Sequence, residues 1–158
     1  MGLAFGRKLL EPRMAVEMGV SLARPLVFTN GVFDVLHRGH VTYLARARAL
    51  GNALIVALNS DASARRLGKG ANRPVNPLDD RMAVLAALES VNYVTWFDED
   101  TPLALILAVR PEVVVKGGDW TVANIVGAQE VAGWGGRAVS IPFEHQRSTT
   151  ELLARIRR

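Results

Sequence analysis

Short apolar runs alternate with stretches of helical periodicity along this chain, and that alternation predicts most of its elements. The first run, 26–30, opens after Pro25 and reads LVFTN. The second, 53–58 (ALIVAL), has no polar alternation, as expected of a strand covered on both faces. Further strands are predicted at 91–97, 112–116 (EVVVK) and 137–141. Between them, 41–50 (VTYLARARAL) reads as an amphipathic helix. In that reading Val41, Leu44, Ala45 and Ala49 face inward, Arg46 and Arg48 face outward, and Gly51 ends the helix as its C′ residue. Helices are also predicted over 61–67, capped by Asn59-Ser60-Asp61, and over 80–89, capped by Asp79 and Asp80. Another runs over 103–109 with Thr101 as N-cap and Pro102 at N1, and the last two cover 123–133 and 150–157. Residues 1–24 read as a weakly periodic helical lead-in interrupted by Pro12 and Gly19. The polar, glycine-containing stretch 68–76 (GKGANRPVN) reads as a loop.

Strands alternating with helices imply parallel pairing through crossovers, with helices on both faces of one sheet. The predicted fold is therefore α/β, a Rossmann-like doubly wound parallel sheet of about five strands. Residues 26–158 form its single domain, and 1–25 precede it as the lead-in. In such sheets ligands bind beyond the carboxyl ends of the strands. That rule gathers 29–40, 59–61, 97–100, 116–120 and 142–150 at one rim.

Composition narrows the class. Hydrophobic residues make up 49% and aromatics 6% of the 158 residues, which favours helices on an aliphatic sheet over an aromatic-rich sandwich. Cysteine is absent, which excludes disulfides and thiolate metal sites. No apolar run reaches spanning length, and Arg7, Lys8, Glu11 and Arg13 break up the amino terminus, so neither a membrane span nor a signal peptide is expected. The expected location is the cytoplasm. The net charge of +4 is scattered rather than interleaved with aromatics. Nucleic acid is thus not an expected partner, whereas a small polyanion is compatible.

The candidate chemistry sits in 26–40, LVFTNGVFDVLHRGH. A strand that turns through glycine into a helix start presents unpaired N–H groups and a partial positive charge, which suits phosphate. His37 and His40 lie three apart on that start, with Gly39 between them allowing close backbone approach. The chain has no GxGxxG after the first strand, no GxxxxGK[ST] and no GxSxG. Ordinary dinucleotide, P-loop and serine-hydrolase sites are unsupported.

HxGH preceded by TNGVFDVLH resembles the nucleotidyltransferase branch of the HIGH-motif α/β superfamily. The ordered series FTNGVFDVLHRGHVTYLARARALG, NSDAS, RLGKGANRPVNPLDDR, FDEDTP, RPEVVVKGGDW and STT resembles more closely the adenylyltransferase domain of heptose-phosphate biosynthesis, over roughly 26–156. The resemblance implies transfer of AMP from ATP to a heptose 1-phosphate, giving ADP-heptose and pyrophosphate for lipopolysaccharide core. It implies Mg²⁺ held mainly by the ATP phosphates, with no protein metal ligand, and a homodimer or higher homo-oligomer. The kinase domain sometimes fused ahead of this domain is not in the sequence, so a separate kinase is expected to supply the sugar phosphate.

By the same resemblance His37, His40 and Lys69 are catalytic. Thr29, Asn30, Gly31, Phe33, Gly39, His40, Arg81, Gly118, Asp119, Ser148, Thr149 and Thr150 bind nucleotide. Asp34, Lys69, Arg73, Lys116 and Trp120 bind the acceptor. Several have plainer readings. Asp34 can cap its turn, Lys69, Arg73 and Arg81 can be solvated charges, Asp119 and Trp120 can be a turn residue and a packing aromatic, and Ser148 can be an N-cap. Three departures stand out. Val32 is read as harmless, Asn92 as a surface change, and Gln146-Arg147 as an altered turn before STT. Other readings are a cytidylyltransferase for glycerol phosphate or a related small phosphate, and a non-catalytic nucleotide-binding domain.

Overall fold

The computed structural model describes residues 2–145 and 148–156. Five parallel strands form one sheet: β1 (Leu26–Gly31), β2 (Ala53–Asn59), β3 (Tyr93–Phe97), β4 (Val113–Gly117) and β5 (Arg137–Ile141). Their order is β3-β2-β1-β4-β5, so the doubly wound α/β architecture expected from the alternation is the one observed. The helices are α1 (Pro12–Ser21), α2 (Arg38–Arg48), α3 (Asp61–Arg66), α4 (Leu78–Ala86), α5 (Leu103–Val109), α6 (Ala128–Gly133) and α7 (Thr149–Ile156).

Strand pleating sorts the core onto two faces. Val27, Leu54, Val56 and Leu58 pack under Tyr43, Leu44 and Ala47 of α2 and Met82, Leu85 and Ala86 of α4. Leu26, Phe28, Ile55 and Ala57 pack on the other face, against Leu105, Ile106 and Val109 of α5 and Val131 of α6. Phe28, Leu54, Ile55 and Leu58 are wholly buried. Each such side chain contributes roughly 1.5–3 kcal/mol. That explains why β2 carries no polar position before Asn59.

The chain winds outward from β1 to β2 and β3, then returns across β1 to β4, which creates a switch point between β1 and β4. The ladder there is short. Val27, Phe28 and Thr29 pair with Val113, Val114 and Val115, whereas β1 pairs with β2 over its full length. Beyond Thr29 and Val115 the two strands part, and the opening lies at their carboxyl ends.

Several expected details are corrected. Pro12 opens α1 rather than interrupting a helix, and Gly19 sits inside α1 where Val109 packs against it. Residues 8–10 cover the β3 edge: Leu10 N–H donates to Val94 O (2.9 Å) and Lys8 Nζ to Val91 O (2.8 Å). In α2 the inward set is Tyr43, Leu44 and Ala47, while Val41, Ala45 and Ala49 are exposed, because the buried stripe runs a turn at a time from Gly39 through Tyr43 to Ala47. Gly51 is not a left-handed cap. A Cβ there would meet Pro25 O at 2.4 Å, so close approach requires glycine.

Asp79 and Asp80 lie in the first turn of α4 rather than capping it, where they complement the helix dipole. Thr101 makes no cap bond, and Pro102 holds the N-cap position of α5. The helix expected over 123–133 is split by Gly127 (φ 86°) into a 3-10 turn and α6. Asn92 is no mere surface change: its Oδ1 accepts from Leu54 N (2.8 Å) and fastens the start of β2.

Candidate active site

Beyond the parted ends of β1 and β4 lies a cleft of about 630 Å³. Its histidine wall follows from the local chain path. Phe33 adopts φ +47°, an unusual backbone state for a bulky residue. This turn sets its ring edge-on to His40, with centroids 5.3 Å apart. His37 is the N-cap residue of α2, with extended backbone and no capping bond from its side chain. Gly39 and His40 follow in the first turn, and the His37 and His40 rings stack at 3.9 Å, 24° from parallel.

Gly39 is required by that stack. A Cβ on it would lie 3.0 Å from both Cε1 and Nδ1 of His37. The glycine therefore makes room for the imidazole of its own motif.

Both imidazoles are held towards the neutral form. Burial depresses His37, and burial, then the charges of His37 and Lys69, lowers His40 to about 4. Among the described residues neither Nδ1 atom has a hydrogen-bond partner although both are buried. Between pH 6.5 and about 4 the unfolded chain binds a proton at His40 that the folded chain refuses. Stability is thus full above pH 6.5 and falls as pH drops through this window. Urea unfolding at pH 7 and pH 5 should show a drop that His40→Asn reduces; identical slopes for both proteins would refute the assignment.

The opposite wall carries positive charge. Lys69 projects from the 68–76 loop and Lys116 from the end of β4. Burial, and secondarily the charge of Lys69, depresses the Lys116 ammonium, whose Nζ lies 5.7 Å from the centre of the Trp120 ring. Asn30, Gly31 and Val32 form the floor, and Arg73 adds a further cation. Ser148, Thr149 and Thr150 close the cleft at the start of α7. Ser148 Oγ accepts from Glu151 N (3.1 Å), and Thr149 Oγ1 donates to Val35 O (3.1 Å), which ties α7 to the turn before His37. Such a concentration of cations and helix starts suits a polyphosphate.

A second lobe of about 270 Å³ shares Asn30, Gly31, Val32, Lys69, Lys116 and Trp120 with the first. It extends past Asn59, Asp100, Thr101 and Asn124 towards Ile125 and Val126. Its added polar groups are amides, a hydroxyl and one carboxylate, a set that suits hydroxyl-rich ligands.

The other expected site residues do not present free side chains to the cleft. Thr29 is buried below the floor, where its Oγ1 donates to Val115 O (2.9 Å) and touches Tyr43 OH. Asp34 borders the cleft, but its carboxylate accepts from Arg73 Nε (2.7 Å), Val75 N and Asn76 N (both 2.9 Å). Arg81, expected at the nucleotide, is instead wholly buried. It donates to Asn76 O, Val32 O, Asn59 O and Asp61, because its position on α4 aims it inward rather than at the cleft. Asp119 is exposed, and neither it nor Gly118 lines the cleft; Gly118 instead bonds Ile141 O and accepts from Ser140 Oγ. The altered pair Gln146-Arg147 lies outside the described residues.

Two lining aromatics were missed from sequence. Tyr43 and Phe143 meet edge-to-face at 6.1 Å, and a Cβ on Gly117 would strike both rings. Tyr43 was detectable as the aromatic three residues after His40, on the histidine side of the helix. Phe143, in an irregular loop, carried no periodic signal.

Residues 28–154 match the cytidylyltransferase-like family. The chain is 60% identical over 136 residues to the D-beta-D-heptose 1-phosphate adenylyltransferase of Bordetella bronchiseptica, covering 86% of this chain and 84% of that protein. It is 53% identical to the bifunctional protein HldE of Citrobacter koseri over 94% of its own length, but spans only 31% of that relative. Among solved structures, the lipopolysaccharide core biosynthesis protein of Thermoplasma volcanium superposes with a TM-score of 0.63 at 25% identity, covering 77% of this chain and 98% of that one. Pantoate-beta-alanine ligase of Francisella tularensis, at 13% identity and a TM-score of 0.60 over 90% of this chain and 68% of that one, shares the fold. The HxGH residues at the switch point fall within a family match that runs through most of the chain, which belongs to the cytidylyltransferase-like family and is a nucleotidyltransferase.

Proposed function

We propose that this chain transfers AMP from ATP to D-glycero-β-D-manno-heptose 1-phosphate, giving ADP-heptose and pyrophosphate for lipopolysaccharide core. The observation that carries the reading is the convergence of His37, His40, Lys69, Lys116 and the 148–150 hydroxyls on one cleft. The name of the Bordetella relative supports the choice of nucleotide and sugar. An oxygen of the sugar phosphate attacks the α-phosphorus of ATP in line. The P–O bond to the β-phosphate breaks, and pyrophosphate leaves with its electron pair. The attacking oxygen is already anionic, so no base is needed.

Catalysis then consists of alignment and charge neutralisation. His37 and His40 donate to oxygens that gain charge as the α-phosphorus becomes pentavalent. The start of α7 holds the β- and γ-phosphates. Lys69, Lys116 and Arg73 meet the acceptor phosphate, and the smaller lobe, shared across Lys69, Lys116 and Trp120, receives the sugar. Among the described residues no three His, Asp or Glu side chains cluster as metal ligands. The cleft offers cations instead, so we assign no residue to Mg²⁺ and leave it with the ATP phosphates and water.

No described helix is long and apolar enough to cross a membrane. We place the enzyme in the cytoplasm, where ATP is found, and on the family resemblance propose a homo-oligomer, which sedimentation would test. Pyrophosphate release measured with each nucleoside triphosphate against several sugar phosphates tests the reaction. Turnover is expected with ATP and the heptose 1-phosphate. Turnover with CTP alone would overturn the adenylyl assignment, and none with any pair would favour a binding module.

A further inference from the structure

Asp34 has every hallmark of a site residue in sequence, yet its side chain is fully buried and its oxygens are occupied. They accept from the Arg73 guanidinium and from the backbone N–H groups of Val75 and Asn76, while Asn76 Nδ2 donates back to Asp34 O (2.7 Å). The bonds span about forty residues of sequence and close the carboxyl end of the 68–76 loop onto the turn after β1. Arg81 braces the same point, donating to Asn76 O and to the carbonyls of Val32 and Asn59 at the exits of β1 and β2.

The other end of the loop leaves α3 through Gly68 (φ +67°), around which a side chain would meet open space, and Gly70 (φ +126°). Lys69 sits between these two permissive glycines and borders both lobes of the cleft. With only the short Gly68 N–H to Arg65 O bond (3.1 Å) fastening its first end, the arm takes much of its position from the clasp at the other.

We propose that Asp34 is a positioning residue that holds Lys69 over the reacting phosphates by clasping the backbone of Val75 and Asn76. Its carboxylate does not bind the acceptor. This rests on the reading of Lys69 as a phosphate ligand. Asp34→Asn keeps the shape but replaces one acceptor oxygen with an NH₂ group that faces donors. Asn76→Ala removes the return bond alone.

The test combines a mutant cycle with proteolysis. In the native background Asp34→Asn should lower kcat/KM for the heptose 1-phosphate about 10- to 100-fold, as expected for misplacement of a ligand by about 1 Å. In a Lys69→Ala background the same change should cost several-fold less than in the native one, the remainder reflecting Arg73, which Asp34 also holds. Trypsin cleavage after Lys69 should accelerate in Asp34→Asn while the melting transition of the sheet persists. Asn76→Ala carries the same measurements if Asp34→Asn does not fold.

Equal losses in both backgrounds would mean that Asp34 does not act through Lys69 and would overturn the proposal. Unchanged cleavage after Lys69 would also overturn it. Absence of turnover in the native protein with every substrate pair would instead defeat the catalytic reading, and the cleavage rate would still decide the clasp.

Discussion

Replacement of His40 by alanine should lower kcat by about 10²–10³-fold, the usual cost of one preorganised donor to developing charge. The ring is stacked on His37, met edge-on by Phe33 and kept neutral near pH 7 by burial and nearby positive charge. A neutral imidazole still presents one N–H and needs no solvent rearrangement as charge builds on the phosphoryl oxygens. Arrival of the polyphosphate brings negative charge beside the ring and raises its proton affinity, which favours the imidazolium and with it a charged donor.

The fold should survive, because the substitution also removes a buried Nδ1 that lacks a partner among the described residues. Rapid-quench measurement of the chemical step, paired with thermal melts, gives the answer. Full kcat in His40→Ala would remove the ring from the mechanism.

Gly39→Ala should cost activity while leaving stability nearly unchanged. Alanine is favoured over glycine by about 1 kcal/mol in a helix interior and by less at this second position of α2, which offsets the cost of moving the His37 ring and keeps the fold intact. The new methyl group would stand 3.0 Å from two atoms of the His37 ring, which must move away. Displacing a donor by a fraction of its own width breaks alignment with the α-phosphorus, and kcat should fall about 10- to 100-fold. A variant that melts no lower yet turns over slowly separates geometry from folding. If kcat were unchanged, His37 would have no role that depends on its stacked position.

The sheet was legible because its physics is local and repetitive. Each aliphatic run buried on both faces is short, and each is followed by a helix-periodic stretch, so strand count and rim follow directly. Helix phase was less legible. In 41–50 the three alanines carry little amphipathic signal, and the buried stripe is fixed by Gly39, Tyr43 and Ala47, which follow one another a turn apart. The histidine pair and the 148–150 hydroxyls were legible as motifs at predicted rim positions.

Asp34 and Arg81 were not legible in the same sense. A charged residue in a rim segment looks alike whether it meets a ligand or a distant backbone. Only their partners, at Val75, Asn76 and Asn59, distinguish the two. Phe143 escaped notice because no regular element carries it to the cleft.

The two lobes meet along a common wall, and this division has an evolutionary consequence. On our reading the histidines, Phe33, Phe143 and the 148–150 hydroxyls border the lobe where bonds change, whereas Asn59, Asp100, Thr101 and Asn124 border the other. The latter come from the exits of β2 and β3 and from the turn after β4. Mutational drift there can trade one acceptor for another while the machinery for activating the nucleotide stays intact. New specificities are therefore accessible by small steps, each passing through a working enzyme.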